Sequence, residues 1–281
     1  MNRNYILAAA FGIISLILIF ILIAGLVKSL NGGIQFINHK PALIDDSETL
    51  SYSYNQSEIS SIKADLVNEA VFIGNSYDKQ IHVKIENPDT PNAPEVNLKG
   101  NTLYITKEKL NIFSFSPRKG STVYIEIPAN LSMQKFSVET VSGSIKASDL
   151  KIWADEVKIE SVSGSIKMSE ISSKSLKFES TSGTVKAGNV SADSLSVETV
   201  SGSIELKVEK LEKKANIESI SGSVKLSLKK ASSFALSYKS KSGSFSSDFG
   251  NLSKNKEFKH NGGKAEISVS TVSGSIKVSA F

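Results

Sequence analysis

The sequence has no cysteine, one tryptophan and only two arginines, Arg3 and Arg118, in 281 residues. Without cysteine there is no disulfide framework, no thiolate metal site and no cysteine-linked lipid anchor. The scarcity of arginine removes the bidentate fork that sequence-reading DNA proteins use on bases and phosphates. No nucleic-acid partner is expected. Aromatics are sparse at 7%, and there are six prolines. What is plentiful is serine, lysine, isoleucine and valine, the composition of a β-rich, repetitive chain. The net charge of +5 comes almost wholly from lysine. Such a diffuse excess fits a solvated surface, or loose attraction to anionic polymers or lipid headgroups.

One long apolar run stands apart. Tyr5 to Val27 carries no charge. At about 1.5 Å per residue it is long enough to cross a hydrocarbon core of about 30 Å. It exceeds the apolar stretch of about 7–15 residues typical of a cleaved signal peptide, and no A-x-A cleavage pattern follows. The expected layout is a flank (1–4), a transmembrane anchor (5–27), a juxtamembrane linker (28–57) and a β-domain (58–281). The anchor makes the lipid bilayer a partner. The flanking charges, Arg3 against Lys28, are nearly balanced. A short N-terminal flank ahead of a large domain makes a single-pass cell-membrane protein with its C-terminal domain extracytoplasmic the expected orientation.

From residue 135 a unit recurs, as in FSVETVSGSIKA, VKIESVSGSIKM and LKFESTSGTVKA. Its fixed point is a glycine: Gly143, Gly164, Gly183, Gly202, Gly222, Gly243 and Gly274, at spacings of 21, 19, 19, 20, 21 and 31. A period of this kind signals stacked repeats. Counted from the glycine, positions −7 and −5 are apolar, as in Phe136 and Val138 or Leu176 and Phe178. Position +2 is Ile145, Ile166, Val185 and their equivalents, and +4 is mostly apolar. Alternation of period two indicates strands. The apolar parity changes between the two runs, which requires a bend before Ser-Gly. Position −3 is always Thr or Ser, a hydroxyl placed to bond the turning backbone. Leu150, Ile171 and Val190, at +7, indicate a short third side.

The fold expected is all-β: a parallel β-helix, or β-solenoid, of about 20-residue coils. An antiparallel sandwich of hairpins is the rival. Residues 58–134 lack the unit but alternate as strands, and are expected to form irregular first coils that cap the stack; residues 135–281 hold the Ser-Gly repeats. The gap before Gly274, with Asn261-Gly262-Gly263, reads as a longer loop, and the sequence leaves little cap beyond Gly274.

Three features resemble the bacterial putative-adhesin family of unknown function, which has a β-helical domain. They are an N-terminal apolar segment ahead of one domain, the strand Val123 to Pro128 ending in Ile-Pro, and the iterated [Thr/Ser]-Val-Ser-Gly-Ser-Ile unit. The resemblance covers about residues 59–281 and, within the family, is to membrane-anchored LiaG-type envelope proteins. It implies a non-enzymatic envelope-associated scaffold or binding module, linked to envelope stress, and it carries over no catalytic residue. An adhesin contacting other cells is the alternative, and a carbohydrate-active β-helix enzyme a further one.

No catalytic, cofactor or metal site is expected. The aspartates Asp149, Asp155, Asp193 and Asp248 read as non-equivalent, and His39, His82 and His260 are scattered. No phosphate-binding loop, G-x-S-x-G or H-E-x-x-H motif is present. Two charged rows are the candidate surface. Glutamate fills −4 in Glu139, Glu160, Glu179, Glu198 and Glu218; lysine fills +3 in Lys146, Lys167, Lys186, Lys225 and Lys277, with Glu205 interrupting. Stacked coils set these on the outer surface, with Lys158 and Lys177 offsetting some of the acid. The rows are either solvated positions that discourage sheet growth or a linear site for a charged partner. That partner is an anionic cell-wall polymer, an envelope protein, or divalent cations between neighbouring glutamates.

Overall fold

In a computed structural model the described residues are 49–88, 93–107, 120–129, 131–250 and 256–281. The expected anchor (5–27) and the flank before it lie outside them. Among the described residues no helix is long and apolar enough to cross a membrane. The expected linker (28–57) lies outside them only as far as residue 48. Thr49–Asn55 already forms a strand, followed by the 3-10 turn Gln56–Glu58, so the folded unit begins before residue 58.

The described chain is all-β and solenoid-like. The strands ahead of the repeats are β1 (Thr49–Asn55), β2 (Ser61–Asp65), β3 (Ala70–Ser76), β4 (Gln80–Glu86), β5 (Glu95–Lys99), β6 (Thr102–Thr106) and β7 (Thr122–Pro128). The repeats supply β8 (Ser132–Thr140), β9 (Ile145–Ser161), β10 (Ile166–Ser180), β11 (Val185–Thr199), β12 (Ile204–Ser219) and β13 (Val224–Leu228). Beyond them come β14 (Phe234–Ser242), β15 (Phe245–Ser247), β16 (Glu257–His260), β17 (Ala265–Ser273) and β18 (Ile276–Ala280).

From β8 to β13 every pairing is parallel and aligned on the unit. Phe178 pairs with Ile159 on one side and Val197 on the other, and Ile166 pairs with Ile145 and Val185. The apolar pattern explains this. Ile166, Met168, Ile171, Leu176 and Phe178 of one coil are all buried, as are their equivalents above and below. No coil can bury that set alone, so burial and stacking are one event.

The corner is built from −3 and the glycine. Thr140, Ser161, Ser180, Thr199 and Ser219 are buried, and each hydroxyl accepts the N–H of the glycine three residues on, at 2.8–3.2 Å. Ser161 also donates to the carbonyl of Gly143. A Cβ on Gly164, Gly183, Gly202 or Gly222 would overlap the carbonyl oxygen of the preceding repeat glycine. These glycines are required by close stacking, not by a left-handed backbone.

The order of stacking departs from the order of sequence at both ends. β17 pairs parallel with β12 on one side and β14 on the other, and β18 lies between β13 and β15. The Gly274 unit is therefore inserted between the Gly222 and Gly243 units. The expectation of a Gly274 coil with little cap is corrected: the Gly243 unit covers it, and β16 closes β14 antiparallel. The turn at Asn261-Gly262-Gly263 makes this threading possible. Asn261 adopts φ 47° and the glycines 93° and 72°, and the side chain of Asn261 donates to the Ser232 carbonyl at 3.1 Å.

At the other end β2 sits between β8 and β6, and β3 between β9 and β7. Antiparallel strands finish that end, with β4 on β7, β1 on β4 and β5 on β6. Residues 61–73 are thus a repeat unit in all but the Ser-Gly pair. Ile62 and Ala64 match Phe136 and Val138, and Val71 and Ile73 match Ile145 and Ala147.

Candidate functional site

The register that stacks the core also stacks the outward side chains, and three charged rows result. In the first, Glu139 pairs with Glu160, Glu160 with Glu179, Glu179 with Glu198, and Glu198 with Glu218. The row extends one residue further than the Ser-Gly unit discloses, because Asp65 pairs with Glu139. Its signal was present: Ile62-x-Ala64-Asp65 has the spacing of Phe136-x-Val138-Glu139.

This row is not the solvated surface expected. The side chains of Glu139 and Glu160 are 11% and 13% exposed, that of Glu179 28%. Lys158 lies between Glu139, at 3.1 Å, and Glu160, at 2.8 Å; Lys177 holds Glu179 at 2.7 Å. Ser196 donates to Glu198 and Asn216 to Glu218. Burial, then the hydrogen bond to Glu179, pushes the Glu160 carboxyl up to about 8. Burial also works to raise Glu179, but hydrogen bonds from Glu160 and Lys177 outweigh it and the group is lowered. Directly opposed in register, the two carboxyls are thus pushed in opposite directions. Burial and then the charge of Glu179 raise Glu198. Lys158, Lys177, Ser196 and Asn216 thus relieve much of the row, with Glu160 Oε1 in ion-pair contact with Lys158 but without a directed hydrogen bond. Among the described residues no three His, Asp or Glu side chains converge as a metal site.

The second row is basic. Lys146, Lys167 and Lys186 stack in register, Glu205 follows, then Lys225 and Lys277. All five lysines are exposed. Two residues before each, Ser144, Ser165, Thr184, Ser223 and Ser275 occupy the same outward face. Lys186 bonds Glu205 at 2.7 Å. Among the described residues no carboxylate lies within ion-pair distance of Lys167, Lys225 or Lys277. At its upstream end the row continues into aromatics. Phe72 pairs with Lys146 and with Tyr124, the two rings stack at 5.3 Å, and the Lys146 ammonium lies 5.4 Å from the Phe72 ring centre.

The third row alternates. Asp155, Lys174, Asp193 and Lys213 all stand nine residues before their glycine. Lys174 bonds Asp155 at 2.8 Å and Lys213 bonds Asp193 at 3.0 Å. The reading of these aspartates as non-equivalent is corrected: two of them share a position, and the structure uses them as partners for lysine. Asp248 accepts the N–H of Ala280.

The remaining polar groups have local roles. His82 hydrogen-bonds Asp78 and Ser53, and His260 packs among Phe234, Phe249 and Phe258; His39 lies outside the described residues. The one tryptophan, Trp153, is 40% exposed. Sequence reading missed Glu69, which occupies the glycine place of the 61–73 unit. It is fully buried, bonded to Lys107, and accepts the N–H groups of Val67 and Asn68.

No curated protein matches the chain. Among solved structures, it is similar to a putative lipid binding protein from Parabacteroides distasonis at 17% identity, covering 83% of this chain and 97% of that one, with a TM-score of 0.45. A putative adhesin from Bacteroides fragilis matches at 15% identity, 82% and 96% coverage and a TM-score of 0.44. A putative cell adhesion protein from Clostridium sporogenes matches at 11% identity, 84% and 100% coverage and a TM-score of 0.42. The family model described as Toastrack DUF4097 matches residues 59–279, nearly all of the folded part, and the chain belongs to that family.

Proposed function

We propose that the chain is a non-enzymatic binding module of the cell envelope, tethered to the membrane by residues 5–27 and presenting its solenoid-like domain, a parallel β-helix in its repeats, on the extracytoplasmic side. One observation carries the binding reading. Outward side chains recur once per coil at a rise of about 4.8 Å, so the surface is a one-dimensional array. A repeating partner can meet such an array at many equivalent points, and multivalent contact converts weak single contacts into firm attachment. Asp155, Asp193 and Asp248 are occupied by lysines or backbone, which favours binding over acid–base chemistry. The tether rests on the uncharged run from Tyr5 to Val27. A role in envelope stress is the resemblance's contribution to this reading.

The missing cysteines make the test clean. A single cysteine at exposed Ser163 in the full-length protein should react with a membrane-impermeant maleimide on intact cells, while one at Asn2 should react only after permeabilisation. The reverse pattern would overturn the orientation. The same protein should co-sediment with isolated envelope; recovery wholly in the supernatant would overturn the binding module.

A further inference from the structure

We propose that the lysine row binds a linear polyanion, a phosphodiester-linked polyol or sugar chain, laid along the axis of the coils. The proposal rests on the binding-module reading and names its site and the chemistry of its partner. Like charges directly opposite each other on neighbouring strands destabilise a sheet. The other two charged rows are relieved from within. The alternating row pairs Asp155 with Lys174 and Asp193 with Lys213. The acidic row holds Lys158 and Lys177 among its carboxylates. The lysine row has Glu205 alone, bonded to Lys186 and facing the charge of Lys225 on its other side, and its five lysines are exposed. Between Lys146 and Lys167, Lys167 and Lys186, and Lys225 and Lys277 no carboxylate intervenes in the row, and an external anion would relieve that repulsion.

The form of the row fits a chain. It is one charge wide and one charge per coil, so a polymer running along the axis meets an ammonium at every step but that of Glu205. Ser165, Thr184, Ser223 and Ser275, on the same face, can donate to phosphate oxygens beside the ammonium groups. The stacked Phe72 and Tyr124 continue the row upstream. An aromatic face suits the C–H side of a sugar or polyol, which a purely ionic surface would not select. Lysine contributes compact point charges that tolerate variable phosphate geometry, where arginine would impose a fork.

The test titrates full-length protein in neutral detergent with poly(glycerol phosphate). Neutral dextran, phosphatidylglycerol vesicles and oligodeoxythymidine serve as competing probes. Binding to poly(glycerol phosphate) should weaken with salt. The triple variant K167Q/K225Q/K277Q should lose at least about tenfold in affinity and show a flatter salt dependence. The variant K174Q/K210Q/K213Q removes the same charge from a different side and should bind within about twofold of the parent. Equal losses in the two variants would reduce the effect to net charge and overturn the proposal. So would equal binding of dextran, or tighter lysine-dependent binding of vesicles or oligonucleotide. Envelope binding that survives K167Q/K225Q/K277Q would sink the lysine site and leave the module reading standing. A parent protein that binds neither envelope nor polymer would sink both.

Discussion

The acidic and basic rows occupy the two sides of one corner, are generated by the same register, and solve the same electrostatic problem in opposite ways. Glutamates stacked at each coil turn inward on one another: they are half-buried and are bonded by Lys158 and Lys177. Lysines stacked at each coil stand in water with little relief. The difference teaches how to separate architecture from recognition in a repeat protein. A same-sign row that satisfies itself belongs to the structure. One that does not is available to a partner.

The largest blow to this comparison falls on the corner that generates both rows. Gly202→Val would place a side chain against the carbonyl of Gly183. It should cost on the order of 3 kcal/mol or more, and thermal melting should show a domain that is largely unfolded or loses cooperativity. Gly74→Ala, where nothing lies within 4 Å, should melt like the parent.

The acidic row can be tested by pH. The Glu160 carboxyl is raised to about 8 in the folded protein. Its contribution to stability is complete below the unfolded value of about 4.3 and is lost as pH rises through the folded value, because the folded state binds the proton more tightly. Glu179, lowered, works in the opposite sense and offsets part of the slope. Glu160→Gln should therefore melt like the parent at pH 5 and about 3 °C higher at pH 8.5. Equal melting differences at both pH values would show that Glu160 carries no proton there.

The smallest effect sharpens the contrast. Lys167→Glu converts the lysine row locally into an alternating one, Lys146–Glu–Lys186, like the third row. Urea denaturation should show a gain of about 0.5 kcal/mol, while binding of poly(glycerol phosphate) falls. A more stable protein that binds less well is the signature of a surface kept for recognition.

Much of this was legible in the sequence. The shift of apolar parity before Ser-Gly marked the corner, and the invariant hydroxyl at −3 proved to bond the glycine N–H in the units of Gly143 to Gly222, but not at Ser240 or Thr271. Lys158 and Lys177 were placed beside their glutamates by spacing alone. The depth of the acidic row was not legible, because solvent access depends on how closely neighbouring coils crowd the carboxylates. Asp65 and Glu69 escaped because their unit keeps the apolar spacing but lacks the Ser-Gly mark. The insertion of the Gly274 unit escaped for a different reason. A repeat motif specifies what each unit stacks against in kind, since every glycine column looks alike, and leaves the order of units to a loop.

That insertion has a consequence for assembly during synthesis. The Ser-Gly units up to Gly222 can dock one upon another in the order of the sequence. The Gly243 unit emerges next but finds its seat on β12 and β13 reserved for residues 265–280, which are still to come. It must wait, or dock wrongly and be displaced, until β17 and β18 arrive beneath it. The fold is therefore completed when residues 265–280 fill a gap between two parts that precede them in the sequence, reached through the Asn261–Gly263 turn.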